Sequence, residues 1–231
     1  MPPDSSSAPA SRPLRLLITA GPTREAVDPV RYLTNRSSGR MGYALATAAA
    51  DAGHEVVLIS GPVSLEADHR VELVRVETAK EMFDATSAHI RKMDVALFSA
   101  AVADYRPITA HAQKIKKSEG TMTLELERTE DILGSARSVF DFKGYLVGFA
   151  AETENLLDNA RSKLDRKGCD LILANDVSVP GIGFDSPLNE VILCLKDGTT
   201  QTMPRCSKVA LAREIITFIA DQIAQKLKSP L

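Results

Sequence analysis

Short, nearly unbroken apolar runs recur along the chain, and each is separated from the next by a segment of helical period. Leu14–Thr19 (LRLLIT), Glu55–Ser60 (EVVLIS), Val71–Val76 (VELVRV), Asp94–Ser99 (DVALFS), Gly144–Phe149 (GYLVGF) and Asp170–Ala174 (DLILA) are such runs. A strand that alternates polar and apolar residues has one wet face, whereas an uninterrupted apolar strand is covered on both. The intervening segments predict helices over 40–52, 78–92, 129–140 and 154–167. The first is Ala-rich and closed by Gly53, and the second starts at a Thr78/Glu81 capping box. Strands alternating with helices predict an α/β fold, doubly wound around a mostly parallel, Rossmann-like sheet.

The pattern changes in two places. Residues 104–127 form a long polar stretch ending in an alternating segment, Met122–Leu126, which predicts a flap or arm. Near the end, Val191–Leu195, the turn Lys196-Asp197-Gly198 and Thr199–Met203 predict a β-hairpin. Ser207 then caps a last amphipathic helix bearing Leu211, Ile215, Ile219 and Ile223. Residues 1–13, rich in Pro, Ser and Ala, read as a disordered leader, and 14–228 as a single domain.

With 28 basic and 30 acidic residues the chain carries a formal charge of -2, which gives no footprint for nucleic acid or an anionic membrane. No run approaches the roughly 20 apolar residues of a membrane helix. Three separated cysteines suit a reducing, cytoplasmic setting, and neither they nor the four scattered histidines have metal-ligand spacing. A site for a phosphate-rich ligand must therefore be a local cluster.

In a sheet of this kind ligands bind beyond the carboxyl ends of the strands. After the first strand, Ser37, Ser38 and Gly39 precede a helix, an arrangement whose backbone N–H groups and positive helix end suit phosphate. An N-capped helix with packing glycines reads the same residues. The tight GxGxxG is missing, the second strand ends without a ribose-binding acid, and no tyrosine is followed four residues later by lysine. An NAD(P)-dependent oxidoreductase loses ground for these reasons. After the fourth strand, Ala100, Ala101 and Ala103 leave room at the backbone, and Asp104 offers a carboxylate to a hydrated Mg²⁺ on a triphosphate. Lys114, Lys116 and Lys117 supply cations for charge developing at phosphorus, or a solvated basic loop. Lys163 and Lys167 share a helix face, with room for an anion between them. Phe149 is a base-stacking or a core residue, and Asn175 bonds a ligand or caps a turn.

Together the segments 18–42 (ITAGPTREAVDPVRYLTNRSSGRMG), 99–107 (SAAVADYRP), 114–117 (KIKK), 147–153 (VGFAAET) and 174–178 (ANDVS) resemble the phosphopantothenoylcysteine synthetase (phosphopantothenate–cysteine ligase) family over roughly residues 14–227. The resemblance implies a two-step ligase of coenzyme A biosynthesis. A nucleoside triphosphate activates the 4'-phosphopantothenate carboxylate, and the cysteine amine captures the acyl-nucleotidylate. It implies catalytic roles for Asn35, at the cysteine step, and Lys114, at activation. Nucleotide binding falls to Ser37, Ser38, Gly39, Ser99, Ala100, Asp104, Lys114, Asp131, Ile132, Phe149, Lys163 and Lys167. Substrate binding falls to Arg31, Asn35, Ala100, Ala101, Asp104 and Asn175, with Arg31 reaching the substrate phosphate across a homodimer interface formed by the arm or the C-terminal hairpin. Glu130 stands where relatives commonly carry Pro. The NRSSGRMG and KIKK forms imply CTP ahead of ATP, with Mg²⁺ carried on the nucleotide near Asp104. Many bacterial relatives fuse this unit behind a flavin-dependent decarboxylase. The leader is too short for one, so no flavin is expected here, and association with a separate decarboxylase is. A non-catalytic nucleotide-binding module remains a further alternative.

Overall fold

The computed structural model describes residues 12–117, 119–176, 178 and 186–228. The leader expected over 1–13 lies outside them up to residue 11, as does Val177 of the ANDVS segment. In chain order the elements are β1 (Arg15–Ala20), β2 (Arg24–Ala26), β3 (Tyr32–Thr34), α1 (Arg40–Asp51), β4 (Glu55–Ser60), β5 (Glu72–Arg75) and α2 (Ala79–His89). Then follow β6 (Val95–Phe98), β7 (Tyr105–Pro107), β8 (Leu126–Arg128), α3 (Ile132–Ser138), β9 (Tyr145–Glu152) and α4 (Leu156–Lys167). The last are β10 (Leu171–Asp176), β11 (Leu188–Leu195), β12 (Thr200–Ser207) and α5 (Lys208–Lys228).

Eight strands form one sheet in the order β12-β11-β10-β9-β6-β1-β4-β5. From β5 to β10 all neighbours are parallel, and the β11–β12 hairpin adds an antiparallel edge. The apolar runs explain why the sheet is covered on both faces. Successive side chains of a strand point to opposite sides. Leu16 and Ile18 accordingly pack with Leu45 of α1 and Ile215 of α5. Leu17 packs on the other side with Met82 of α2, Ala136 of α3 and Leu164 of α4. Each such fully buried Leu or Ile contributes about 1.5–3 kcal/mol relative to exposure.

The chain runs outward from β1 to β4 and β5, then returns to lay β6 on the other side of β1. The loops after β1 and β6 therefore diverge at a topological switch point, which opens a crevice at the carboxyl edge. Helix α1 leans close to that point. A Cβ on Gly42 would lie 2.5 Å from Ala20 Cβ and 2.7 Å from Ser99 Oγ. At its far end the expected Gly53 stop is a Schellman turn, with φ 81° at Gly53, Gly53 N–H bonded to Ala50 O and His54 N–H to Ala49 O. The Thr78/Glu81 capping box is also present at α2.

Some elements differ from the sequence expectation. The loop between β1 and α1 contains a small antiparallel hairpin, β2–β3, whose three-residue strands are too short to show a period. The alternating Met122–Leu126 segment is extended only from Leu126, where β8 pairs with β7 to make the expected arm. Helix α3 starts at Ile132 rather than 129, because the Asp131 side chain accepts the Gly134 N–H and caps it there. The C-terminal hairpin is longer than expected and turns at Gly198, φ 88°.

The tight approach at Gly42 is testable. Gly42→Ala should destabilise the fold by about 1–3 kcal/mol through overpacking. That predicts a Tm lower by about 2–4 °C per kcal/mol in thermal denaturation.

Candidate active site

The loops that follow β1 and β6 are bonded to each other along their length. Ser99 Oγ–H donates to Thr19 O at 2.6 Å, and Thr19 Oγ1 accepts the Ala100 N–H at 3.2 Å. The Ala101 N–H bonds Gly21 O at 2.9 Å, and the Ala103 N–H bonds Thr23 Oγ1 at 2.9 Å. Short side chains at 99–101 leave the backbone open at the floor of a cleft of about 840 Å³. Thr129 closes the far wall, its hydroxyl donating to Ala103 O at 2.5 Å and its N–H to Asp104 O at 3.0 Å.

Positive charge enters the cleft from α4. Lys163, Arg166 and Lys167 all line it, together with Asp131, Ile132 and Phe149. The two lysines share one face, as their spacing implies, yet each already has a partner. Lys163 Nζ donates to Phe149 O at 2.7 Å, and Lys167 pairs with the Asp131 carboxylate. Burial pushes the Lys163 pKa down, partly opposed by Glu152. Burial also pushes the Asp131 carboxyl up, but Lys167 and the Gly134 N–H outweigh it and hold it below its ordinary value.

Asn35, Ala100, Ala101 and Asp104 line the same cleft as the lysines. Asn35 Nδ2 donates to Val102 O at 2.8 Å, which ties it to the β6 loop. Ser37, Ser38, Gly39 and Asn175 line a small adjoining pocket of about 60 Å³, which shares Ser99, Phe149 and Ala151 with the cleft. Gly39 takes φ 74° as it enters α1, and no side chain caps that helix start. Its first N–H groups and positive dipole end therefore face the pocket.

Arg31 and Lys114 stand apart. Neither lines the cleft or the adjoining pocket. Lys114 is exposed on the arm loop, and Arg31 pairs with Asp28 at the β2–β3 turn. Sequence reasoning also missed residues that do line these spaces. Thr19 is hidden within an apolar strand, and Arg36 and Arg166 lie beside residues that were singled out. Buried Asn189 and Lys208 reach the small pocket from the C-terminal unit, and nothing in their local sequence signals it. Among the described residues no group of three His, Cys, Asp or Glu side chains could hold a metal ion, and no helix is long and apolar enough to cross a membrane.

Fold and cleft define a doubly wound α/β domain with a cation-lined site at the carboxyl edge of its sheet. Residues 12–223 match the model of the DNA/pantothenate metabolism flavoprotein C-terminal domain family, and the chain belongs to that family. It is 48% identical over 206 residues to the coenzyme A biosynthesis bifunctional protein CoaBC of Vibrio vulnificus (strain YJ016), covering 88% of this chain and 51% of the relative. To the CoaBC protein of Bacillus subtilis (strain 168) it is 46% identical over 209 residues, 89% of this chain and 50% of that one. The chain thus spans about half the length of the curated relatives it matches. A crystal structure of the C-terminal domain of a CoaBC protein superposes with a TM-score of 0.79 at 42% identity, covering 92% of this chain and 96% of the other.

The lowered pKa of Lys163 has a sign that can be measured. The native state binds this proton more weakly than the unfolded chain, so stability improves as pH rises through the lowered value towards the ordinary lysine value. Lys163→Met should remove that rise in a Tm–pH profile without lowering Tm at neutral pH. The same variant should weaken binding of pyrophosphate, used as an anion probe, about tenfold in calorimetry.

Proposed function

We propose that this domain is a phosphopantothenate–cysteine ligase acting in coenzyme A biosynthesis in the cytoplasm. The observation that carries the reading is the convergence of Asn35, Ala100, Ala101 and Asp104 with Lys163 and Lys167 on one cleft at the switch point. Membership of the family, and the names of its CoaBC relatives, support it.

A carboxylate is a poor acyl donor, and nucleotidylation gives it a leaving group. A carboxylate oxygen of 4'-phosphopantothenate attacks the α-phosphorus of the triphosphate, and the bond to the β-phosphate oxygen breaks with its electrons leaving in pyrophosphate. The cysteine amine then attacks the acyl carbon, loses a proton and expels the nucleoside monophosphate. The protein's part in both steps is to hold two anions together and to neutralise developing charge.

Lys163, Lys167 and the α1 start attract the phosphates, and Ser37, Ser38, Gly39, Asp131 and Ile132 line their path. Phe149 stacks on the base, and the backbone at Ser99 and Ala100 bonds its edge. CTP is the proposed nucleotide, with ATP the alternative. Asp104 would hold the Mg²⁺ carried on the nucleotide, which would neutralise phosphate charge; exposure of that carboxylate to the cleft fits a hydrated ion. Asn35 places an amide beside the acyl oxygen, and Asn175 contacts the substrate. Lys114 and Arg31 act from the arm and hairpin, Lys114 on the triphosphate and Arg31 on the phosphate of substrate bound to a second copy in a homodimer.

Pyrophosphate should appear when CTP and phosphopantothenate are supplied with Mg²⁺, and the amide product should require cysteine. Neither forming from folded, dimeric protein would refute the ligase. Tight NADPH binding without CTP binding would instead favour an oxidoreductase. Asn35→Asp should slow capture by cysteine while acyl-cytidylate accumulates, as read by mass spectrometry. Lys114→Gln should slow pyrophosphate release itself by about 100-fold.

A further inference from the structure

Asp28 has a fully buried side chain at the turn between β2 and β3, and its bonds run to Val30, to Arg31 and to Ile115, the residue after Lys114. Its Oδ1 accepts the N–H groups of Val30 and Arg31, each at 2.9 Å. Its Oδ2 accepts the Arg31 guanidinium through Nε at 3.0 Å and Nη2 at 2.5 Å, and also the Ile115 N–H at 3.1 Å. Arg31 Nη2 in turn donates to Ile115 O at 3.2 Å, and the His111 N–H donates to Val27 O at 3.0 Å. The arm loop that carries Lys114 is thereby pinned to the hairpin that carries Arg31. The Arg31 side chain stays 42% exposed, so Asp28 grips one edge of the guanidinium and leaves Nη1 free of it.

With Nε and Nη2 committed to Asp28 and Ile115 O, the guanidinium is held with Nη1 turned outward for an anion. A loop whose amide is tied to a buried carboxylate loses conformations, which restricts where its lysine can stand. The Asp28 carboxyl is held far below the usual carboxylate range, chiefly by Arg31, so the anchor stays ionised at working pH. Nothing in the chemistry of the reaction touches Asp28 itself.

We propose that Asp28 is a positioning residue: one buried carboxylate fixes both the Arg31 guanidinium and the Lys114–Ile115 backbone, and so couples the group that receives the substrate phosphate to the group that activates the nucleotide. This rests on the ligase reading for the roles of Arg31 and Lys114, but the coupling itself is a structural claim.

The test uses the full chain. Asp28→Asn keeps the shape and removes the charge. Limited trypsin digestion should then cut after Lys114, Lys116 and Lys117 about tenfold faster, with cleavage elsewhere unchanged. The KM for phosphopantothenate should rise about tenfold and pyrophosphate release should slow, while the KM for the nucleotide holds. Unchanged cleavage at 114–117 would overturn the proposal, as would cleavage rising at all sites together, the mark of a merely structural residue. If the variant does not fold, the unaltered protein decides. Its Ile115 N–H should exchange with solvent about tenfold more slowly than that of Lys116, and equal exchange overturns the proposal. If the unaltered enzyme releases no pyrophosphate, the ligase reading fails, and the cleavage and exchange results still judge the anchor.

Discussion

The site depends on one seam, where the chain after β1 is bonded to the chain after β6. Thr19 works on both sides of it, accepting from Ser99 at its carbonyl and from Ala100 at its hydroxyl. A doubly wound sheet opens a crevice at this position whatever its sequence. Here the seam decides what the crevice presents: the backbone of 99–101, then Asp104, with Asn35 tied across by Val102. The glycines serve the same seam. Gly42 lets α1 approach within contact of Ala20 and Ser99, which brings the helix start to the rim. A group built from loops alone would move; these loops are stitched to the two central strands.

The electrostatics follow from that rigidity. Formal charge is close to balanced, so attraction of a polyanion must be local. Lys163 and Lys167 sit on one face of α4 and are partly removed from solvent, which makes their charge costly without a counterion. Phe149 O and Asp131 hold them in place meanwhile. The two lysines are therefore partnered and held in place in the free protein. Cations held in advance cost little reorganisation when charge develops at phosphorus.

Much of this was legible in the chain. EVVLIS is β4 residue for residue, because a buried parallel strand requires an unbroken apolar run and nothing else in the chain has that form there. The capping box at Thr78 and the Gly53 stop were readable because they are local chemistry. Long-range pairing was not. Nothing around Asp28 announces that its carboxylate reaches Ile115, 87 positions away, and so the position of Lys114 outside the cleft could not be foreseen. Asn189 and Lys208 illustrate the same limit, since their approach to the small pocket follows from how the β11–β12 unit folds back. The β2–β3 hairpin escaped for a simpler reason: three residues do not make a period.

A crystal structure of the protein with a non-hydrolysable CTP analogue, Mg²⁺ and phosphopantothenate bears most directly on this account. The triphosphate is predicted to run between the start of α1 and the α4 lysines, with the pantothenate carboxylate beside Asn35 and the α-phosphorus within reach. Density for the nucleotide at any other edge or face of the sheet, with the seam between Thr19 and Ser99 left bare, would contradict it.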